Sequence, residues 1–224
     1  MGAPRTVGCF VNSGADCVAP GVVRYAGRGA VVAGELDGTA TPRIDALLAL
    51  MRDFDDAIIV TPDIWGYLWD TMTYGALLFG TALTDDSIAG VLADPACRPV
   101  LTALGQEVGA IAAAEGVTPE GFDAFDPAAF APGAGQTALD RSFAETVAHD
   151  RRSTKTDPGI WRDLAIRKRK TEREAQLGLI VASGRTRDRP TPLTKRLMAT
   201  TAEIEAGRRP LARANLTELG GAAA

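Results

Sequence analysis

Lys168 and Glu172 stand four residues apart in a cation-rich stretch, and an ammonium beside a carboxylate can anchor a polar ligand or hold a proton donor in place. Trp161, Leu164, Ala165, Lys168, Glu172, Ala175 and Leu179 advance in steps of three and four, which predicts that they share one side of a helix. That side should be apolar. An ionised carboxylate there is costly unless a cation, a ligand or water meets it, so Glu172 is a candidate site residue. The competing reading is that the stripe fades, leaving residues 167–174 as a solvated face on which Lys168 and Glu172 attract each other.

Other chemistries are excluded by residue type. His149 is the single histidine, so Ser-His-Asp, Cys-His and multi-histidine metal arrangements cannot be built within one chain; it reads as a helix-end residue rather than a catalyst. Cys9, Cys17 and Cys97 are odd in number, lack paired zinc-site spacing and read as reduced thiols. No nucleophile elbow, Walker loop or calcium-loop pattern is present. Gly133, Gly135 and Ala138 fit the loose dinucleotide pattern, but Phe130-Ala131-Pro132 precede them where a strand would have to be, so no cofactor loop is expected there.

The net charge of −4 conceals a division. Residues 1–150 carry 7 basic and 20 acidic side chains, residues 151–213 carry 17 and 7. Such asymmetry implies attraction between the two parts or a cationic surface for an anionic partner. Nucleic acid is not the expected partner, because Trp161 is the one aromatic in the basic part and no helix-turn-helix signature is visible. The longest apolar run, residues 74–83, is about half of what a bilayer span needs, and residues 1–7 have no apolar core of signal-peptide type. A cytoplasmic protein without membrane partners is expected.

The elements that must position these side chains fall into two regimes. Residues 7–12, 22–25 and 30–34 are short β-branched or apolar runs between glycines and prolines, which predicts a small antiparallel meander, with residues 57–60 as the one further strand. Helices follow. Thr41-Pro42 and Thr61-Pro62 are both start signals, and Ile64, Leu68, Thr71, Gly75, Leu78 and Ala82 line one side of the second helix. Further helices are predicted over residues 87–93, 97–115 with Gly116 as stop, 136–149, 160–182 and 193–206. The loop at 121–135 should tuck Phe122, Phe125 and Phe130 onto the helices, and the polar connection 151–159 carries Ser153, Thr154 and Lys155.

Residues 20–27 (Pro-Gly-Val-Val-Arg-Tyr-Ala-Gly), Ala33-Gly34-Glu35, residues 69–75 (Trp-Asp-Thr-Met-Thr-Tyr-Gly), Lys170-Thr171-Glu172 and Arg189-Pro190-Thr191-Pro192 together resemble the ketopantoate reductase family. The resemblance covers most of the chain, and the order and spacing of the motifs carry it. It implies a mainly α fold: a helical domain like the C-terminal bundles of 6-phosphogluconate dehydrogenase, preceded by a small antiparallel β meander left from a truncated Rossmann domain. The implied division is a β remnant at 1–40, a helical substrate and dimerisation domain at 41–215 and a frayed tail at 216–224.

The implied reaction is NADPH-dependent reduction of the 2-keto group of ketopantoate to pantoate, on the route to pantothenate. In that scheme a lysine protonates the carbonyl oxygen while a glutamate helps to position substrate and lysine. Glu172 falls on that glutamate. Thr71 stands where the family has its lysine and Gly75 where it has an asparagine, so both depart from the pattern; Lys155 or Lys168 would have to replace the ammonium, with Ser153 beside them as a further substrate contact. The glycine-rich NADPH fingerprint lies upstream in the family. The resemblance therefore implies a chain that is inactive alone, one that works with a separate nucleotide-binding chain or as a homo-oligomer, or a noncatalytic helical module that binds a small carboxylate. Strands that finish a larger sheet in the family would here be uncovered, so association through residues 1–35 is expected.

Overall fold

The computed structural model describes residues 2–12, 14–27 and 29–221. Strands come early: β1 (Val7–Val11), β2 (Gly14–Ala19), β3 (Val22–Gly27), β4 (Val31–Glu35) and, after helix α1 (Pro42–Met51), β5 (Ile59–Val60). Helices make up the rest: α2 (Ile64–Thr81), α3 (Ile88–Ala93), α4 (Arg98–Glu115), α5 (Gln136–Asp150), α6 (Gly159–Ala165), α7 (Arg173–Thr186), α8 (Pro192–Glu205) and α9 (Ala214–Gly221). The fold is mainly α with a small β part, as the sequence predicts.

The strands do not form one meander. β4 pairs antiparallel with β1, Val7 opposite Glu35 and Val11 opposite Val31, while β5 joins β4 in parallel. Among the described residues β2 and β3 pair only with each other, as a separate ribbon. Two glycines seat the β1–β4 pair on the helices. A Cβ on Gly8 would lie 2.6 Å from Ile64 Cγ1, and one on Gly34 would lie 2.4 Å from the Thr61 carbonyl oxygen, so only bare backbone lets β1 and β4 lie against the start of α2.

Helix α2 runs through the middle of the molecule. Ile64 joins Phe10, Val32 and Phe122 in a small cluster, and further along Leu77 and Phe79 enter the main core with Leu101, Leu104, Leu177, Ile180 and Leu197. Tyr74 packs against both clusters. The stripe read from the sequence is unevenly covered: Ile64 and Ala82 at its ends are buried, Leu68, Gly75 and Leu78 are half-buried and Thr71 is exposed, whereas Asp70, Thr73, Ala76 and Leu77 on the other faces are buried. Elements cover α2 on several sides, so a single apolar stripe underestimates its burial.

The caps follow their chemistry. Thr41 Oγ1 accepts from the Ile44 amide at 3.3 Å and starts α1. The second start comes two residues later than Thr61-Pro62 implies, because Asp63 Oδ1 accepts from the Gly66 amide at 3.0 Å and takes over the cap. Ser87 Oγ caps α3, and Gly116, with φ 77°, ends α4. Phe122, Phe125 and Phe130 are buried as expected.

Two expectations need correction. The helix predicted over 160–182 is broken: after α6 the Asp163 carboxylate draws back Arg167 Nη1 at 3.0 Å and Arg169 Nε at 2.8 Å, and Lys168 between them takes φ 49°. The Thr171 amide and hydroxyl then donate to Glu205 Oε1 at 2.8 and 2.7 Å, and the chain restarts as α7. Nor does the chain fray at 216. α9 buries Leu216 and Leu219, and Asn215 Nδ2 donates to the Leu83 carbonyl at 2.8 Å; residues 222–224 lie outside the described residues.

Candidate functional site

The end of β1, one side of α2, the turn at 122–125, the end of α5 and the segments around α6 enclose a cavity of about 470 Å³. Thr71, Gly75, Ser153, Lys155 and Glu172 all line it. Lys168 does not. The break after α6 turns it away into a separate hollow with Leu164, Ile204 and Arg209, so it is not paired with Glu172 on a helix face.

Glu172 sits at the entry to α7 as an exposed residue on the cavity wall, without a side-chain cap bond. Its Oε2 accepts from Gln176 Nε2 at 3.2 Å. Across the cavity a Cβ placed on Gly75 would lie 3.4 Å from Gln176 Oε1, so the first turn of α7 faces the Thr71–Gly75 turn of α2 directly. Thr71 Oγ1 donates its one hydrogen to the Tyr67 carbonyl at 3.0 Å and offers the cavity lone pairs only. Asp163 anchors the cationic wall. Burial works against its charge, but the hydrogen bonds from Arg169 and Arg167 prevail and hold its carboxyl below the usual aspartate range.

A second cluster, at the β1 end, has no counterpart in the sequence reading beyond the notice of a helix-end histidine. Asn12, Tyr74, Asp123, His149 and Asp150 line the same cavity. Asn12 Nδ2 donates to Asp123 Oδ2, and the Tyr74 hydroxyl donates to Asp150 Oδ2 at 3.4 Å. Burial raises the Asp123 and Asp150 carboxyls, with His149 opposing the rise in both, and burial together with Asp150 pushes the Tyr74 phenol well up. Asp123 and Ala124 have φ 46° and 67°, and the Phe125 amide closes the turn on the Phe122 carbonyl at 2.9 Å. A turn with two left-handed centres favours Asn-Gly. Asp-Ala gives no such signal, and burial of the flanking Phe122 and Phe125 holds it in place.

Among the described residues no group of three or more His, Cys, Asp or Glu side chains is arranged to hold a metal. Nor do the residues present fit a dinucleotide: the Gly133 pattern follows a 3-10 turn, Pro127–Phe130, and opens α5 without a strand before it.

The sequence profile of "Ketopantoate reductase PanE/ApbA C terminal" matches residues 63–205. The chain belongs to this family. The ketopantoate reductase match runs from the Asp63 cap of α2 to the end of α8 and so takes in the helical walls of the cavity. Curated protein sequences yield no match. Among solved structures, the chain resembles a PanE/ApbA family ketopantoate reductase from Ralstonia eutropha JMP134, with 24% identity, TM-score 0.69 and coverage of 90% of this chain and 60% of that one. It also resembles 2-dehydropantoate 2-reductase from Geobacter metallireducens GS-15, at 22% identity, TM-score 0.73, 91% and 62%. A third is D-mandelate dehydrogenase, whose structure holds NADH and anilino(oxo)acetate, at 16% identity, TM-score 0.69, 89% and 60%. The likeness at these identities is one of fold, and the chain spans less than two thirds of each of these proteins.

Proposed function

We propose that the cavity binds a small 2-oxo acid, and that this chain is the substrate-binding half of an NADPH-dependent reductase of the 2-dehydropantoate 2-reductase type. One observation carries the reading: Thr71, Gly75, Ser153, Lys155 and Glu172, scattered over a hundred residues, line one cavity. Lys155 is the ammonium in that cavity, since Lys168 lies elsewhere. In this role Lys155 meets the ligand carboxylate or carbonyl oxygen, and Glu172, tied to Gln176, orients the polar end from the α7 side. The residues described here do not cradle a dinucleotide, so NADPH belongs to a separate nucleotide-binding chain or unit, and no hydride step is assigned to this part.

A second reading, a noncatalytic module that binds a small carboxylate, is favoured by Thr71, whose hydroxyl proton is spent within its own helix. Calorimetric titration with ketopantoate tests what both readings share. Saturable binding is expected, weakened about tenfold or more in Lys155→Met and unchanged in Lys168→Met. No heat from the unaltered protein, or equal loss in the two variants, would overturn the site. NADPH oxidation on addition of a family nucleotide-binding domain separates the readings: turnover supports the reductase half, and binding without turnover supports the module.

A further inference from the structure

We infer that the 2-oxo acid taken by this cavity carries a bulky apolar tail, and that Gly75 sets this preference by leaving bare the strip of α2 on which the tail lies; this rests on the reading above.

The space begins at Gly75. Thr71, Gly75 and Leu78 follow one another on one side of α2, and all three line the cavity. Beyond its helix backbone and chain neighbours, a Cβ placed on Gly75 would meet one atom of the described residues within 4 Å, Gln176 Oε1 at 3.4 Å, which is an ordinary contact. Gly8, Gly34, Gly105 and Gly109 differ, since a Cβ on any of them would come within 2.6 Å of packed atoms. Nor does the backbone call for glycine at 75, which is helical rather than left-handed. Glycine inside a helix is less stable than alanine, so neither packing nor local conformation favours it here. What it provides is room in the cavity.

The borders of that room are apolar. Ile88 is part of the main core, half-buried Leu78 and Ile160 pack against it, and all three line the cavity, so core surface is open to a ligand here. The head of the ligand is close by. The Ile88 amide donates to the Thr156 carbonyl at 2.9 Å, and Thr156 directly follows Lys155, which ties the start of α3 to the segment that carries the ammonium. An acid whose polar end meets Lys155 can therefore lay its tail over Leu78, Ile88 and Ile160 and remove that surface from water. The volume agrees: about 470 Å³ falls within the range of about 300–1,000 Å³ that holds drug-sized ligands, more room than a three-carbon acid fills.

Calorimetric titration of the whole chain with pyruvate, ketopantoate and phenylpyruvate compares three tails on one head group. Phenylpyruvate should bind about tenfold or more tightly than pyruvate, with ketopantoate, whose tail ends in a hydroxyl, between them. Gly75→Ala and Gly75→Leu should fill the strip by degrees, the leucine costing phenylpyruvate about tenfold more than it costs pyruvate, with circular dichroism checking that the helices are intact. Phenylpyruvate bound no more tightly than either other acid, or a folded Gly75→Leu variant that weakens all three alike, would overturn this inference and leave the proposed function standing. The order of the acids in the unaltered protein decides the point even where the leucine variant does not fold. Absence of binding by all three would sink both.

Discussion

Asp70 is fully buried on α2, and neither carboxylate oxygen has a hydrogen-bond partner. Burial, with Asp126 nearby, pushes its carboxyl up to about 9. Unfolded, the group releases its proton near 3.8; folded, it keeps the proton until about 9. Between those values the unfolded chain binds fewer protons than the folded one, so stability is greatest below the lower value and is lost as pH rises through the upper one. The slope from this group is up to about 1.4 kcal/mol per pH unit. Asp70→Asn removes the titration while keeping the volume. Guanidinium unfolding at pH 6 and at pH 8.5 should therefore show a clear alkaline loss in the unaltered protein and a much smaller one in the variant; parallel losses would mean that another group sets the slope.

At the scale of elements, the seat of Phe130 on α4 is a tight joint. A Cβ on Gly105 would lie 2.4 Å from Phe130 Cδ1, and one on Gly109 would lie 2.5 Å from the Phe130 carbonyl oxygen, so both ring and backbone of the 3-10 turn press onto a groove of bare helix. Phe130 is buried against Phe125 and Phe143 and has nowhere to retreat. Gly105→Ala should cost about 1–3 kcal/mol in thermal or chemical unfolding despite its better helix propensity. A gain in stability would show that the turn can lift. The same contrast between local and distant causes explains which elements were legible. The starts at Thr41 and Ser87, the stop at Gly116 and the tucked phenylalanines follow from neighbouring residues. The break after α6 does not, because its causes are tertiary: Glu205 on α8 captures Thr171, and an uninterrupted basic run carries no Pro or Gly to announce it. α9 was illegible for the same reason, since Leu83 supplies the carbonyl that holds Asn215. The family resemblance pointed to Thr71, Gly75 and Glu172, but the Asp123–His149 side of the cavity depends on a turn whose residues do not favour it.

For the whole molecule, the division of charge is partly answered inside the fold. Glu115 on α4 accepts from Arg187 Nη2 at 2.6 Å, Asp86 accepts from Arg213 Nε at 2.6 Å, and Glu107 caps α8 through the Leu193 and Thr194 amides at 2.9 and 2.8 Å, so the acidic and basic parts are stitched together. The β part is less well satisfied. Val22 and Val23 point to opposite faces of the β2–β3 ribbon and are 52% and 66% exposed, with Tyr25 at 62%, so neither face is covered. A two-stranded ribbon is marginal by itself, and Val11 at the end of β1 is likewise 52% exposed. Burying apolar area of this kind contributes about 25 cal/mol per Å², enough to favour association once two such surfaces meet. Light scattering at micromolar concentration should therefore find more than monomer, and Val23→Asp with Tyr25→Asp should shift the population toward monomer while leaving the helical signal in circular dichroism unchanged. An unaltered protein that stays strictly monomeric, or a double variant that associates as before, would place the sticky surface elsewhere, with Leu50 and Phe54 at the end of α1, 73% and 70% exposed, the next to test.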